Sequence, residues 1–319
     1  MILPSARPAA RIYPLRVTSV PTSAHADTST PPRAPDPDRV TVTVTDGVAE
    51  VVLSRPEKMN ALDPRMFASL VAAGDQVAAD RSVRAVVLRG DGRSFCAGLD
   101  LGAFSAMAAP GVSGGSGGSG NGGGGASEVV GRSIVDRMPG RPSNLPQEAA
   151  NVWQSLPQPV IASLHGHVLG GGLQIALGAD IRFSTADATL SVMEVRWGLL
   201  PDMTGPQALI RLCGLDVAKE LVFTARRISG TEAHDLGLVT HVVEDPVAAA
   251  RALAAEIAGR NPEAVQGAKV LLNLAGTRPL EESLTDESRR MEALMGSPNQ
   301  IEAVMAEMEG RAPSFTDPE

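Results

Sequence analysis

Pro159-Val160-Ile161-Ala162-Ser163-Leu164, followed by Leu169-Gly170-Gly171-Gly172-Leu173-Gln174 and Ile175-Ala176-Leu177, decides the fold class. The first six residues are an apolar run of strand length. The three glycines make a turn free of side chains, and Leu173 to Leu177 open a helix of small and apolar residues. Strand, glycine turn and helix in succession mark an α/β chain. Such a turn lets a ligand approach bare backbone and aims unpaired N–H groups, at the positive end of a helix, at whatever lies in front. A developing oxyanion suits that position. The triplet lacks the G-x-G-x-x-G spacing, and no acidic residue about twenty positions on ends a following strand, so a dinucleotide-binding turn is set aside.

A second candidate donor segment, Ser94-Phe95-Cys96-Ala97-Gly98-Leu99-Asp100, ends another strand pattern, Val83 to Leu88. Upstream, Val40 to Thr45 alternates strictly, Asp46-Gly47 forms a turn, and Val48 to Leu53 completes a β-hairpin. Asp63 and Pro64 open a helix as N-cap and first residue. A helix is expected to end near Trp153 to Leu156, and Ile181–Ser184 and Thr189–Val192 read as strands. From residue 204 the pattern is helical: 205–213, 215–224, 246–259, 262–275, 279–295 and 298–309. The expected organisation is an extension at 1–38, an α/β core at 39–245 and a helical region at 246–319. Residues 111–126, a Gly/Ser tract, read as a mobile loop, either a lid over the site or a surface insertion.

The chain has 319 residues, enough for a large core, with 43% hydrophobic and 20% charged residues. A net charge of −8 argues against nucleic acid as the main partner. No apolar run approaches a membrane span. Cys96 and Cys213 have neither disulfide nor metal spacing, which fits a reducing, cytoplasmic compartment. Residues 1–38 carry eight prolines. Arg7, Arg11 and Arg16 with no acid before Asp27 are a presequence feature, but the prolines oppose the helix it needs. His165 and His167, read as sharing one face of a strand, offer no third ligand, so no metal is expected. Trp153 and Trp197 read as core or pocket wall.

Seven segments carry a resemblance that runs from about residue 40 to residue 315. They are Arg55-Pro56-Glu57-Lys58-Met59-Asn60-Ala61-Leu62, Phe95 to Leu101, His165 to Gly172, Ala179-Asp180-Ile181, Glu194 to Pro201, Ile228 to Ala233 and Arg311-Ala312-Pro313-Ser314-Phe315. In this order they resemble the crotonase (enoyl-CoA hydratase/isomerase) superfamily. The resemblance implies a spiral of ββα turns, a C-terminal helical region making trimer contacts (a homotrimer or a dimer of trimers), and an acyl-CoA thioester as ligand. It implies no cofactor beyond the coenzyme A of the substrate. It assigns the oxyanion-holding N–H groups to Leu99 and Gly171. It puts substrate contacts at Lys58, Met59, Ala61, Ala97, Asp100, Leu101 and Gly172.

The resemblance also bears on the chemistry. In hydratases of the family a carboxylate stands three residues after the middle glycine, where this chain has Gln174. A carboxamide exchanges no proton near neutrality, so the two-carboxylate arrangement for adding water is broken. Glu194 matches the second carboxylate position and is the expected acid/base, with Gln174 orienting substrate or water. Asp202 matches the position of a catalytic aspartate in dienoyl-CoA isomerases; the alternative is a cap on the helix beginning near Gly205. A double-bond shift is favoured over hydration. Thioester hydrolysis, decarboxylation, ring opening and a non-catalytic CoA-binding subunit stay open as alternatives.

Overall fold

The computed structural model describes residues 34–100, 102 and 135–318. The 111–126 tract, Leu101 and most of the 1–38 extension lie outside the described residues. Strands β1 (Val40–Thr45) and β2 (Val48–Leu53) pair antiparallel around Asp46 and Gly47, whose φ angles of 49° and 77° make the twisted two-residue turn such a hairpin needs. Helix α1 (Pro64–Ala79) follows, and the Asp63 side chain accepts from the Met66 N–H at 2.7 Å, as its cap position requires. Strand β3 (Ala85–Gly90) starts two residues later than its apolar run, because the Val83 and Arg84 N–H groups bond to Asp80 and Gly47 in a turn.

Helix α2 (Leu145–Ser155), strands β4 (Val160–Leu164) and β5 (His167–Leu169), and helix α3 (Gly171–Leu177) come next. They are followed by β6 (Ile181–Ser184) and β7 (Thr189–Ser191), a 3-10 turn at Glu194–Trp197, and helices α4 (Gly205–Cys213) and α5 (Leu215–Thr224). Then come β8 (Ile228–Ser229), α6 (Gly230–Asp235) and β9 (His241–Val242). The strands form one sheet in the order β1-β2-β3-β4-β6-β9 and a second in the order β5-β7-β8. Beyond the first hairpin all pairs of the larger sheet are parallel. Successive passes through β4-β5 and β6-β7 give one strand to each sheet, the ββα spiral.

Both faces of the larger sheet are covered. Val86 and Leu88 of β3 enter the main core with Leu62, Leu70, Phe95, Trp153 and Leu190, while Ala85 and Val87 face Ala250 and Ala254 of α7 (Pro246–Ala258). This two-sided burial explains why β3 and β4 read as unbroken apolar runs. Helix α8 (Pro262–Leu274) is pinned to the core by Lys269. Its buried Nζ pairs with Asp180 at 2.8 Å and donates to the Trp153 and Gln158 carbonyls, and burial lowers its pKa. Helices α9 (Leu280–Leu294) and α10 (Pro298–Glu309) complete the chain. Helix α9 buries no residue and leaves Leu280 72% and Met291 60% exposed.

Candidate active site

Three stretches far apart in sequence are stitched into one frame. Residues 55–62 contain a 3-10 turn at Pro56–Lys58, then Met59 and Asn60, both left-handed at φ 51° and 56°. Asn60 holds this unusual pair. It is buried, its Oδ1 accepts from the Arg55 N–H, and its Nδ2 donates to the carbonyls of Asp91, Ser94 and Phe95 at 2.9 to 3.1 Å. The loop therefore lies along the end of β3. Ala97 N–H donates to the Met59 carbonyl, Leu62 N–H to Gly98, and Asp100 N–H to Leu62. Lys58, Met59, Ala61, Ala97, Leu99 and Asp100 are brought into one neighbourhood by this pairing. Leu101 lies outside the described residues.

The 95–99 segment also runs beside β5. Cys96 N–H donates to the His167 carbonyl and Leu169 N–H to the Cys96 carbonyl. At Gly98, with φ of 85°, a Cβ would stand 2.7 Å from the Leu169 carbonyl oxygen, so only glycine permits the approach. In the parallel pairing of Leu62 with Leu99, the bonds are made by Leu62 and by the residues on either side of Leu99. The Leu99 N–H is left over, and so is the Gly171 N–H at the start of α3; neither has an acceptor among the described residues. Because α3 spans only seven residues, its dipole is small, and the donors themselves are the useful feature.

Glu194 begins the 3-10 turn after β7. Its Oε1 lies 3.4 Å from where a Cβ on Gly170 would stand and accepts from Gln174 Nε2 at 2.6 Å. Its Oε2 is buried and has no hydrogen-bond partner among the described residues. Burial is the main cause of a raised pKa, the Gln174 bond opposes it, and the charge of Asp202 adds to it. Partial desolvation raises Asp202 as well, although that residue is exposed.

Several expectations need correction. Asp202 is not the cap of α4. Thr204 is the N-cap residue without a side-chain bond, and the Gly205 N–H is taken by Gln174 Oε1 at 3.1 Å. Gln174 is buried; its Oε1 accepts from the Met203 and Gly205 N–H groups and its Nε2 donates to Glu194, so it ties Glu194 to the 203–205 turn. Gly172 packs tightly on the 95–99 segment: a Cβ there would stand 2.6 Å from the Cys96 carbonyl oxygen. His165 and His167 do not share a strand face, because the chain turns at Gly166 (φ 57°) between β4 and β5. His165 Nε2 instead hydrogen-bonds the Gly92 carbonyl at 2.9 Å. Trp153 is core, fully buried, whereas Trp197 is 49% exposed and lies outside the core. Cys96 is filler: its thiol donates to the Asn60 carbonyl, and burial pushes its pKa up to about 12.

Two further contributors carried no assigned role in the sequence reading. Asn60 is one. The other is Arg55, which pairs with Asp100 at 2.8 Å and donates to the Ala61 carbonyl at 3.1 Å. Asp100 is correspondingly held below the usual carboxylate range by the Gly102 N–H and by Arg55. The only signal for either residue is membership of the Arg55–Leu62 segment.

With this frame in view, the family model described as enoyl-CoA hydratase/isomerase matches residues 43–112 and 134–318. The chain belongs to that family, within the crotonase superfamily. It is 34% identical over 276 residues to human enoyl-CoA hydratase domain-containing protein 2, mitochondrial, covering 84% of this chain and 85% of that one. It is 32% identical over 268 residues to mouse Delta(3,5)-Delta(2,4)-dienoyl-CoA isomerase, mitochondrial, covering 83% of this chain and 77% of that one. Among solved structures, an enoyl-CoA hydratase from Polaromonas sp. JS666 superposes with a TM-score of 0.73 at 28% identity, over 87% of this chain and 100% of that one. An enoyl-CoA hydratase from Bacillus anthracis gives 0.72 at 29%, over 87% and 98%. The crotonase fold of this chain is thus established, and its relatives include proteins named for both reactions.

Proposed function

We propose that the protein moves a carbon–carbon double bond along the acyl chain of a coenzyme A thioester, with Glu194 carrying the proton. The observation that carries this reading is Glu194 Oε2, a buried carboxylate oxygen without a partner on a group whose burial favours taking up a proton. The carboxyl lies against the residue preceding the Gly171 donor. In this reading the thioester oxygen accepts from the Leu99 and Gly171 N–H groups. Ionised Glu194 removes a proton from the α-carbon. The C–H pair becomes a new C=C bond as the carbonyl pair moves onto oxygen, giving a dienolate. When the carbonyl re-forms, the double bond shifts by one position and the proton is returned two carbons from where it left. Glu194 is ionised again and the mass is unchanged. One oxyanion donor contributes on the order of 3 kcal/mol to lowering such a barrier.

A second reading rests on Asp202, whose charge acts on Glu194. Two carboxylates in one field let one remove a proton and the other deliver it, extending the shift across a conjugated diene, in line with the relatives named dienoyl-CoA isomerase. Hydration is less well served, since Gln174 cannot exchange a proton and its amide is engaged. Coenzyme A is assigned to the surface formed by Lys58, Met59, Ala61, Ala97 and Asp100, and no further cofactor is invoked. The exposed apolar residues of α9 and α10 are assigned to self-association, as a trimer or dimer of trimers. A panel of enoyl- and dienoyl-CoA substrates followed by mass spectrometry tests the reaction: isomerisation leaves mass unchanged, hydration adds one water, and thioesterase activity releases free coenzyme A. Binding without turnover across the panel would discard catalysis.

A further inference from the structure

Gln174 is a buried side chain held at both ends of its amide. Its Oε1 accepts from two main-chain donors, Met203 N–H at 2.9 Å and Gly205 N–H at 3.1 Å. Two donors at one atom fix which end of the amide is oxygen, so Nε2 faces Glu194 Oε1, 2.6 Å away. The turn is shaped around this carboxamide. A Cβ on residue 205 would come within 2.5 Å of Gln174 Oε1, and Thr204 adopts φ of 64°, uncommon for a β-branched residue. The same turn carries Asp202 on one side and Met203, whose sulfur stands 3.0 Å from a Cβ position on Gly171, on the other. One buried amide thus ties together the proposed base, the second carboxylate and the neighbourhood of an oxyanion donor.

We propose that Gln174 is a positioning residue: its carboxamide binds Oε1 of Glu194, leaves Oε2 as the oxygen that carries the proton, and brings no exchangeable proton of its own. This deepens the reading of Glu194 as acid/base and rests on it. The two oxygens of a free carboxylate are equivalent; here one is held and the other is buried and unpartnered. Asp202 is the other charged group acting on Glu194 among the described residues. The amide's neutrality matters because a carboxylate at position 174 would set two acidic oxygens at hydrogen-bond distance from each other. They would share one proton and titrate as a pair.

The test replaces Gln174 and reads Glu194. Gln174→Glu keeps one oxygen for the Met203 and Gly205 N–H groups. The Glu194 carboxyl is followed by infrared difference titration against pH, its band assigned by its loss in Glu194→Gln. In wild type one step is expected. In Gln174→Glu the pair is expected to titrate in two steps, the upper about one pH unit or more above wild type. The acid limb of kcat/KM on the acyl-CoA substrate moves with it, while KM stays within about threefold. Gln174→Met keeps the bulk and removes the donor that favours the anion, so Glu194 there also titrates above wild type. Titration of Glu194 at its wild-type pH in either variant overturns the proposal. Turnover that survives Glu194→Gln instead overturns the acid/base reading, and the infrared result stands apart from it.

Discussion

The two sides of the site are built from opposite materials. On the proposed oxyanion side, Leu99 and Gly171 offer main-chain N–H groups, held by strand-like pairing and by glycines that allow chain to touch chain. On the proposed proton side, Glu194, Gln174 and Asp202 offer side chains on a 3-10 turn, a short helix and a loop. A main-chain donor is indifferent to the side chain it bears but intolerant of any shift in backbone. A carboxylate tolerates modest backbone change but depends on its charge and its neighbours. Mutations on the two sides are therefore expected to fail in different ways.

Glu194→Gln breaks the proton side and has the largest expected effect. Turnover falls by roughly a hundred- to ten-thousandfold, while affinity for a CoA thioester measured by calorimetry stays near wild type. Loss of binding along with turnover would mean that the side chain supports the pocket rather than the proton. Gly98→Ala breaks the opposite side. The added methyl meets the Leu169 carbonyl at 2.7 Å in a left-handed residue, so the Leu99 donor is displaced. A drop in kcat of about a hundred- to a thousandfold, as for loss of one oxyanion donor, is expected from steady-state kinetics. Leu99→Ala, which keeps the N–H, serves as the control and changes kcat little. If the two variants behave alike, the main-chain assignment fails.

Local chemistry was legible in the sequence and distant chemistry was not. Asp63-Pro64, Asp245-Pro246, Asn261-Pro262 and Ser297-Pro298 all open helices with the cap side chain accepting an N–H two or three residues on, because such a cap is complete within one turn. The hairpin at Asp46-Gly47 was readable for the same reason. The glycine turn and the 94–100 segment were visible as separate candidates, and the family pattern related them to each other. The clamp of Gln174 on Glu194, Met203 and Gly205 was not readable, since its bonds span 20 to 31 residues. A helix whose first N–H is taken by a side chain of another helix leaves no local sign, which is why the sequence alone offers Asp202 as a cap. Asn60 is similar: its carboxamide reaches carbonyls 31 to 35 residues away, and only the fold brings them within range.

Asn60→Ala sharpens the contrast by weakening the frame and leaving the proton side untouched. It strands buried donors and acceptors and removes a residue suited to φ of 56°. A loss on the order of 3 kcal/mol in urea unfolding is expected, with kcat reduced through the oxyanion donors while the pH profile keeps its shape. A shifted acid limb would mean that the two sides are coupled through the 55–62 loop.

The smallest expected effect is on stability against pH, and it belongs to the proton side alone. The folded protein raises the Glu194 pKa above the ordinary glutamate value of 4.5, chiefly by burial. Below 4.5 the carboxyl is protonated in both states and imposes no cost. As pH rises from 4.5 through the raised value, the unfolded chain releases its proton before the native one does. The native state is then destabilised progressively, up to a plateau above the folded pKa. Glu194→Gln has no proton to release, so its unfolding free energy should gain on wild type across that window and hold the gain at neutral pH. Gly98→Ala leaves the carboxyl in place, so its difference from wild type should be flat with pH. Urea melts of the three proteins at several pH values separate the cases. A Glu194→Gln difference that is equally flat would mean that the carboxyl ionises in the folded state as easily as in water, and the unpartnered Oε2 would then hold no store of proton affinity for the reaction to use.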